Sequence, residues 1–220
     1  MATTDTMSSA LLAPSATWKA HARERLTYDE FCSRIHEQKA DLIEGEIFMA
    51  SPATIKHEDF VGFLWAILRL FVKRKNLGIV VGSRVAMKLS EEDGPEPDLL
   101  FVRRERLHLL RNTEILGPAD LVIEIISPGS RHLDAIKKKE QYAAFGVPEY
   151  WLIDLYRHEA HFWRNEAGEW KDLPIDAEGI FRSHALPGFW LQVDWLFAVE
   201  QPDEGEIVQI IMAGKPSETP

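Results

Sequence analysis

Apolar positions recur along this chain in two rhythms, and the change between them outlines the elements. "HEDFVGFLWAILRLFVKRKN" places Phe60, Phe63, Leu64, Ile67, Leu68 and Phe71 at three- and four-residue steps, the stripe of a long amphipathic helix. Lys73, Arg74 and Lys75 follow, where the helix dipole favours cations. "LTYDEFCSRIHEQ" opens with Thr27 and has Glu30 three residues on, a capping-box start for a short helix. "RHLDAIKKKEQYAAFG" reads as a helix closed by Gly146. Shorter runs read as strands: "DLIEGEIFMAS" as a strand ended by Pro52, "GIVVGSRVAMKL" as one or two, "PDLLFV" entered through Pro95 and Pro97, and "ADLVIEII". "PEYWLIDLY" and "HEAHFWRN" read as adjacent strands, and "GEWKDL", "GIFRS" and "FWLQVDWLF" as short strands and turns. Strands alternating with two substantial helices, followed by an antiparallel run, predict a mixed α/β (α+β) sheet with a helix on each side.

Composition bounds this picture. The 220 residues suit a single domain at 21–200, with a Ser-, Thr- and Ala-rich tail at 1–20 and a Pro- and Glu-rich tail at 201–220 of weak order around "IVQIIM". The net charge of −10 disfavours generic nucleic-acid binding without excluding a local basic patch. The single cysteine, Cys32, permits no intramolecular disulfide and no CxxC metal site, and suits a reducing, cytoplasmic setting. The first twenty residues lack a basic segment followed by a long apolar run, and no uninterrupted run of about 18 apolar residues occurs, so neither a signal peptide nor a membrane span is expected.

Chemistry enters through what breaks the apolar pattern. No phosphate-binding glycine loop and no nucleophile elbow are present. "HEDFV" lacks the second histidine of a zinc-protease helix, and in "HEAH" the strand places His158 and His161 on opposite faces. The run "LVIEII" reads as a strand buried on both faces, yet it carries Glu124 on the face of Val122 and Ile126. A buried carboxylate costs several kcal/mol unless a cation, hydrogen-bond donors or a metal compensates it. A plain ion pair satisfies that requirement. So does a partnership with Asp98, which heads "PDLLFV" and can meet Glu124 across adjacent strands. Two carboxylates and a backbone carbonyl suit a hard divalent cation such as Mg²⁺. On the following helix, Asp134, Lys138 and Tyr142 stand at four-residue steps, which directs one lysine at the same cleft.

A carboxylate after proline, a carboxylate in an apolar strand and a nearby lysine resemble the PD-(D/E)XK nucleases. "LIEGEIFMASP", His57, "EPDLLFV", the block from Gly117 to Arg164 and "LPGFWLQVDWLF" together resemble the Uma-two endonuclease family over about Leu26 to Phe197. The resemblance implies a restriction-endonuclease-like core and a Mg²⁺-dependent (Mn²⁺ in its place) endonuclease that hydrolyses DNA phosphodiesters. It implies Asp98 and Glu124 as metal ligands, with a carbonyl near Ile125. The usual lysine position, two residues after the glutamate, is Ile126 here, and Lys138 stands at the matching place on the next helix. Glu46 and His57 match recurrent family positions, Glu46 completing the acidic cluster and His57 lining the cleft; Asp41 stands where the family more often has Glu. Arg103, Arg104, Arg106, Arg131 and Lys137–Lys139 are candidate phosphate contacts. The rival reading is a catalytically inactive nuclease-fold protein that binds nucleic acid or a protein partner; a third is a Glu124–Lys138 ion pair with no ligand. The aromatic strands near the C-terminus make a homodimer the expected assembly.

Overall fold

A computed structural model describes residues 25–35, 38–82, 84–127 and 133–214, with the backbone alone at 133–135. Its centre is a six-stranded mixed sheet in the order β10-β9-β8-β7-β5-β3. The strands are β3 (Gly78–Gly82), β5 (Leu99–Arg103), β7 (Leu121–Ile125), β8 (Glu149–Asp154), β9 (Glu159–Glu166) and β10 (Glu169–Asp172). Within this sheet only β7 and β8 pair in parallel, and the helical crossover between them contains one wide π turn, Leu133–Lys138, leading into α3 (Lys139–Ala144). These two strands are buried along their whole length, as a parallel pair covered on both faces should be.

The alternation along β7 sorts its side chains between two cores. Leu121, Ile123 and Ile125 face the long helix α2 (Ile55–Lys75), α4 (Glu204–Ala213) and the hairpin β11–β12 (Ile180–Arg182, Trp190–Gln192). Val122 and Ile126 face Tyr142, Val147 and Tyr150 on the α3 side. The stripe of α2 buries Phe60, Phe63, Leu64, Ile67, Leu68 and Phe71, and His57 continues it one turn toward the N-terminus. Each such apolar side chain contributes about 1.5–3 kcal/mol by leaving water. His57 is therefore aimed at the sheet by the same periodicity that packs the core. The N-cap Thr54 accepts from the His57 amide at 3.2 Å.

Several expectations change. "DLIEGEIFMAS" is a hairpin, β1 (Ala40–Ile43) with β2 (Glu46–Met49). Glu44 and Gly45 form its turn with φ of 50° and 76°, the positive pair that a two-residue type I′ connection requires. "GIVVGSRVAMKL" supplies two strands in different sheets, β3 and β4 (Ala86–Lys88); β4 pairs in parallel with β6 (Glu114–Leu116), which the apolar pattern does not announce. The piece "IVQIIM" within 201–220 lies in helix α4, which buries Ile207, Val208 and Ile211; Asp203 caps it, accepting from the Glu206 amide at 2.9 Å. The aromatic residues used to argue for a homodimer, Phe162, Phe189 and Trp190 among them, are buried in this chain's own core. Among the described residues, no helix is long and apolar enough to cross a membrane.

Candidate active site at the ends of β5 and β7

The β5–β7 ladder pairs Leu99 with Ile123, so the antiparallel register sets Asp98 opposite Glu124 one step beyond its end. Each carboxylate accepts a backbone amide at or next to the other acid: the Ile125 amide donates to Asp98 Oδ2 at 2.8 Å, and the Asp98 amide to Glu124 Oε2 at 3.4 Å. Both are buried. Lys138 Nζ donates to Glu124 Oε1 at 2.8 Å, and the Tyr142 hydroxyl to the same oxygen at 2.6 Å. The four-residue step from Lys138 to Tyr142 thus brings both to one carboxylate. The side chain of Asp134 and the residue Arg131 lie outside what is described. Ile126 is packed in the α3-side core, so a lysine at that strand position is replaced by one entering from the helix.

The hairpin completes the cluster. Leu42 pairs with Gly94 through two backbone hydrogen bonds of 2.8 and 3.2 Å. Position 94 also demands glycine, because a Cβ there would stand 2.4 Å from the Tyr28 ring. Docked there, the hairpin turns to the site the face that carries Lys39 and Asp41. Asp41 Oδ2 lies 3.0 Å from Lys138 Nζ, and Asp41 Oδ1 accepts from the Glu96 amide at 2.7 Å. Lys39, one residue before β1, donates to Asp98 Oδ1 at 2.5 Å. Charges therefore alternate across the cleft, with Lys39 on Asp98 and Asp41 on Lys138. Glu46 pairs with Ile43 and is half-buried; register puts it on the face of Asp41, about 7 Å along the strand.

His57 forms the inner wall. Its Nε2 lies 3.3 Å from Asp98 Oδ2 and 3.1 Å from the Ile125 carbonyl oxygen, and its Nδ1 lies 3.2 Å from Glu58 Oε1. Every neighbour named is an acceptor, which favours a proton on both nitrogens. Burial works against the charged ring, but the hydrogen bond and charge of Asp98, then those of Glu58, outweigh it and hold its pKa above the ordinary value. Burial likewise works to raise the Asp98 pKa, yet the Lys39 ammonium and His57 hold it below the usual carboxylate range. Lys39 loses charge stability to burial and regains more from Asp98 and Glu124, so its pKa is raised. Glu96 is the opposite case: burial and then the Asp41 charge push its pKa up to about 7, with Lys39 and Arg84 offsetting only part. Tyr142 is raised well above its ordinary value, by burial first and Glu124 second, so it donates as a neutral phenol.

The donors that could hold a divalent cation are hard oxygens. Asp98 Oδ2 and the Ile125 carbonyl oxygen both lie within 3.3 Å of His57 Nε2, which places both residues at the inner wall of the cleft, and Asp98 Oδ1 lies on the Lys39 side. Glu124 stands opposite Asp98 and adds a second carboxylate. Among the described residues, no three His, Cys, Asp or Glu side chains form a ready-made cage; the fit rests on two carboxylates and one carbonyl. His158 and His161 are not brought together with this cluster: His158 stacks on Phe197 and His161 on Trp163.

Most of the arginines expected to touch phosphate lie elsewhere. Arg103 ends β5, so it is about 17 Å from Asp98 by strand rise. Arg106 donates to Asp120 Oδ1 at 2.9 Å and to the Pro118 carbonyl at 2.7 Å, bracing the entry to β7. Arg104 begins the 3₁₀ turn after β5, at that same end. Lys139 lies over the Trp163 ring and Lys137 over Phe48. Lys39 escaped sequence reasoning because an isolated lysine before a strand carries no distinguishing signal. Asp41 carried one, an acid inside an apolar strand, the same signal that marked Glu124.

A mixed sheet flanked by helices, with a buried carboxylate pair at the ends of two central strands and a lysine beside it, is the arrangement of a restriction-endonuclease-like protein. Residues 26–194 match the Uma2 family model, described as "Putative restriction endonuclease", and the chain belongs to that family. A crystal structure of a "putative nuclease belonging to DUF820" from Anabaena variabilis ATCC 29413 shares the fold, with a TM-score of 0.66 and 21% identity over 78% of this chain and 97% of that one. No curated protein matches the chain.

Proposed function

We propose that the protein is a divalent-metal-dependent endonuclease that hydrolyses DNA phosphodiester bonds, with Mg²⁺ or Mn²⁺ as its metal. The observation that carries this reading is the pairing of Asp98 and Glu124 at the ends of two central strands, with the Ile125 carbonyl beside them and Lys138 on Glu124. Asp98, Glu124 and the Ile125 carbonyl would hold the ion. When bound, it would supply Lewis acidity at the phosphate and a more acidic water. Lys138 and Tyr142 fix the Glu124 carboxylate in orientation through its Oε1, leaving Oε2 directed at Asp98. His57 faces Asp98 Oδ2 at the inner wall of the cleft, and its raised pKa favours the imidazolium beside that carboxylate. Cys32, exposed and outside any disulfide, suits a reducing cytoplasm. A homodimer would have to use a surface other than the aromatic C-terminal strands.

The rival reading, a nuclease fold kept for binding alone, draws on one feature: both Lys39 and Lys138 already neutralise the carboxylates. Plasmid and single-stranded DNA, incubated with Mg²⁺ or Mn²⁺, separate the two. The wild type should cleave, and Asp98→Asn and Lys138→Ala should not. Equal activity in all three would reject this assignment of the site, and DNA binding without cleavage by folded wild type would favour the rival.

A further inference from the structure

Two lysines reach the carboxylate cluster, and they differ in access. Lys138 has a side chain only 2% exposed, held between Glu124 and Asp41. Lys39 has a side chain 23% exposed and bonds to Asp98 Oδ1. The other Asp98 oxygen, Oδ2, accepts the Ile125 amide and faces His57. Oδ1 is therefore the outward side of this carboxylate, and an ion taken up there shares that oxygen with the Lys39 ammonium. Ligand distances to Mg²⁺ are about 2.0–2.1 Å, which would crowd two cations around one oxygen. Like charges so close repel strongly. The backbone of Lys39 is tied into the hairpin, its carbonyl accepting from the Ala50 amide at 3.0 Å. Its four-carbon stem is thus the part able to move, and its displaced ammonium would still overhang the cleft.

Resting on the nuclease reading, we infer that Lys39 is the substrate-facing lysine of this site: it yields Asp98 to the metal and then pairs with a non-bridging oxygen of the scissile phosphate. Lys138, by contrast, is a positioning residue whose charge is committed to Glu124 and Asp41. The assignment inverts the expectation from sequence, in which Lys138 is the lysine directed at the reaction. It also gives the site a reciprocal coupling: the ammonium and the divalent ion oppose each other at Asp98, while the phosphate, by drawing Lys39 away, favours the ion.

Mn²⁺ alone, titrated calorimetrically into wild type, Lys39→Met, Lys39→Arg and Asp98→Asn, tests the competition. Lys39→Met should bind Mn²⁺ about tenfold more tightly than wild type, Lys39→Arg like wild type, and Asp98→Asn far more weakly. Uptake by Lys39→Met but not by wild type would support the same inference in stronger form. Equal affinity in wild type and Lys39→Met, with binding lost in Asp98→Asn, would overturn the inference and leave the nuclease reading standing. Undiminished binding in Asp98→Asn, or none in any variant, would overturn both. With Ca²⁺ in place of Mn²⁺, a fluorescent oligonucleotide should bind Lys39→Met more weakly than wild type by anisotropy. Unchanged oligonucleotide affinity would overturn the phosphate contact.

Discussion

Glu124 and Glu149 lie on the adjacent parallel strands β7 and β8, and both are almost wholly removed from solvent. Their surroundings differ. Glu149 accepts from Trp151 Nε1 at 2.6 Å, the Ser183 hydroxyl at 2.8 Å, the His184 amide at 2.7 Å and the Ala185 amide at 2.6 Å. All of these donors are neutral, and they tie the loop before β12 to the sheet. Glu124 sits among Lys138, Tyr142 and Asp98, with Asp41 and Lys39 one contact further out. A buried carboxylate is thus not by itself a site. Neutral donors arranged around one acid make a structural tie. Several acids and cations packed together leave groups that can exchange partners when a new cation or anion arrives.

The comparison breaks first on activity. Asp98→Asn and Glu124→Gln should each lower Mg²⁺-dependent cleavage by about 10³-fold or more, measured on plasmid DNA with circular dichroism confirming the fold. Glu149→Ala should leave the rate per folded molecule unchanged. It should instead lose about 3 kcal/mol or more of stability, because each donor left unsatisfied costs about 1–3 kcal/mol; urea unfolding reads this directly. A Glu149→Ala protein as stable as wild type would erase the distinction between the two glutamates.

Glu96 sharpens the comparison through pH. Its carboxyl titrates at about 7 against an ordinary 4.5. A raised folded pKa means that the native state holds the proton longer than the unfolded chain. Its contribution to stability is therefore full below about 4.5 and is lost as pH rises through about 7. Glu96→Gln, unfolded by urea in the presence of a chelator, should show a flatter decline from pH 5 to pH 8, by about 1–2 kcal/mol once solvent screening of this half-buried carboxyl is counted. An unaltered pH profile would mean that burial and Asp41 do not hold that proton.

The smallest effect concerns His57. Its raised pKa adds stability that is fully present below the ordinary histidine value, about 6.5, and fades as pH rises through the folded value. NMR titration should find the ring above about 6.5 in wild type and lower in Asp98→Asn. A ring titrating identically in both would detach His57 from the carboxylate.

Local rhythm by itself determined most of the elements, though not β6 or helix α4, and three corners of the site. The three- and four-residue steps of α2 place His57 on the core-facing stripe, and strand alternation puts Glu124 on the α3 face of β7. The helical step from Lys138 to Tyr142 carries both to one oxygen. All of these are consequences of backbone period over a few residues. Only the tertiary structure decided the rest. Lys39 and Asp41 arrive because the β1–β2 hairpin docks on Gly94, some fifty residues on, and no local pattern encodes which distant backbone a hairpin will meet. The arginines that look suited to phosphate fall at the far end of β5, where Arg106 braces Asp120. Helix α4 gains its burial from packing on the α2 side of the sheet rather than from its own short apolar run. Periodicity fixes which way a side chain points from its element; where that element comes to rest is set by contacts between residues remote in the chain.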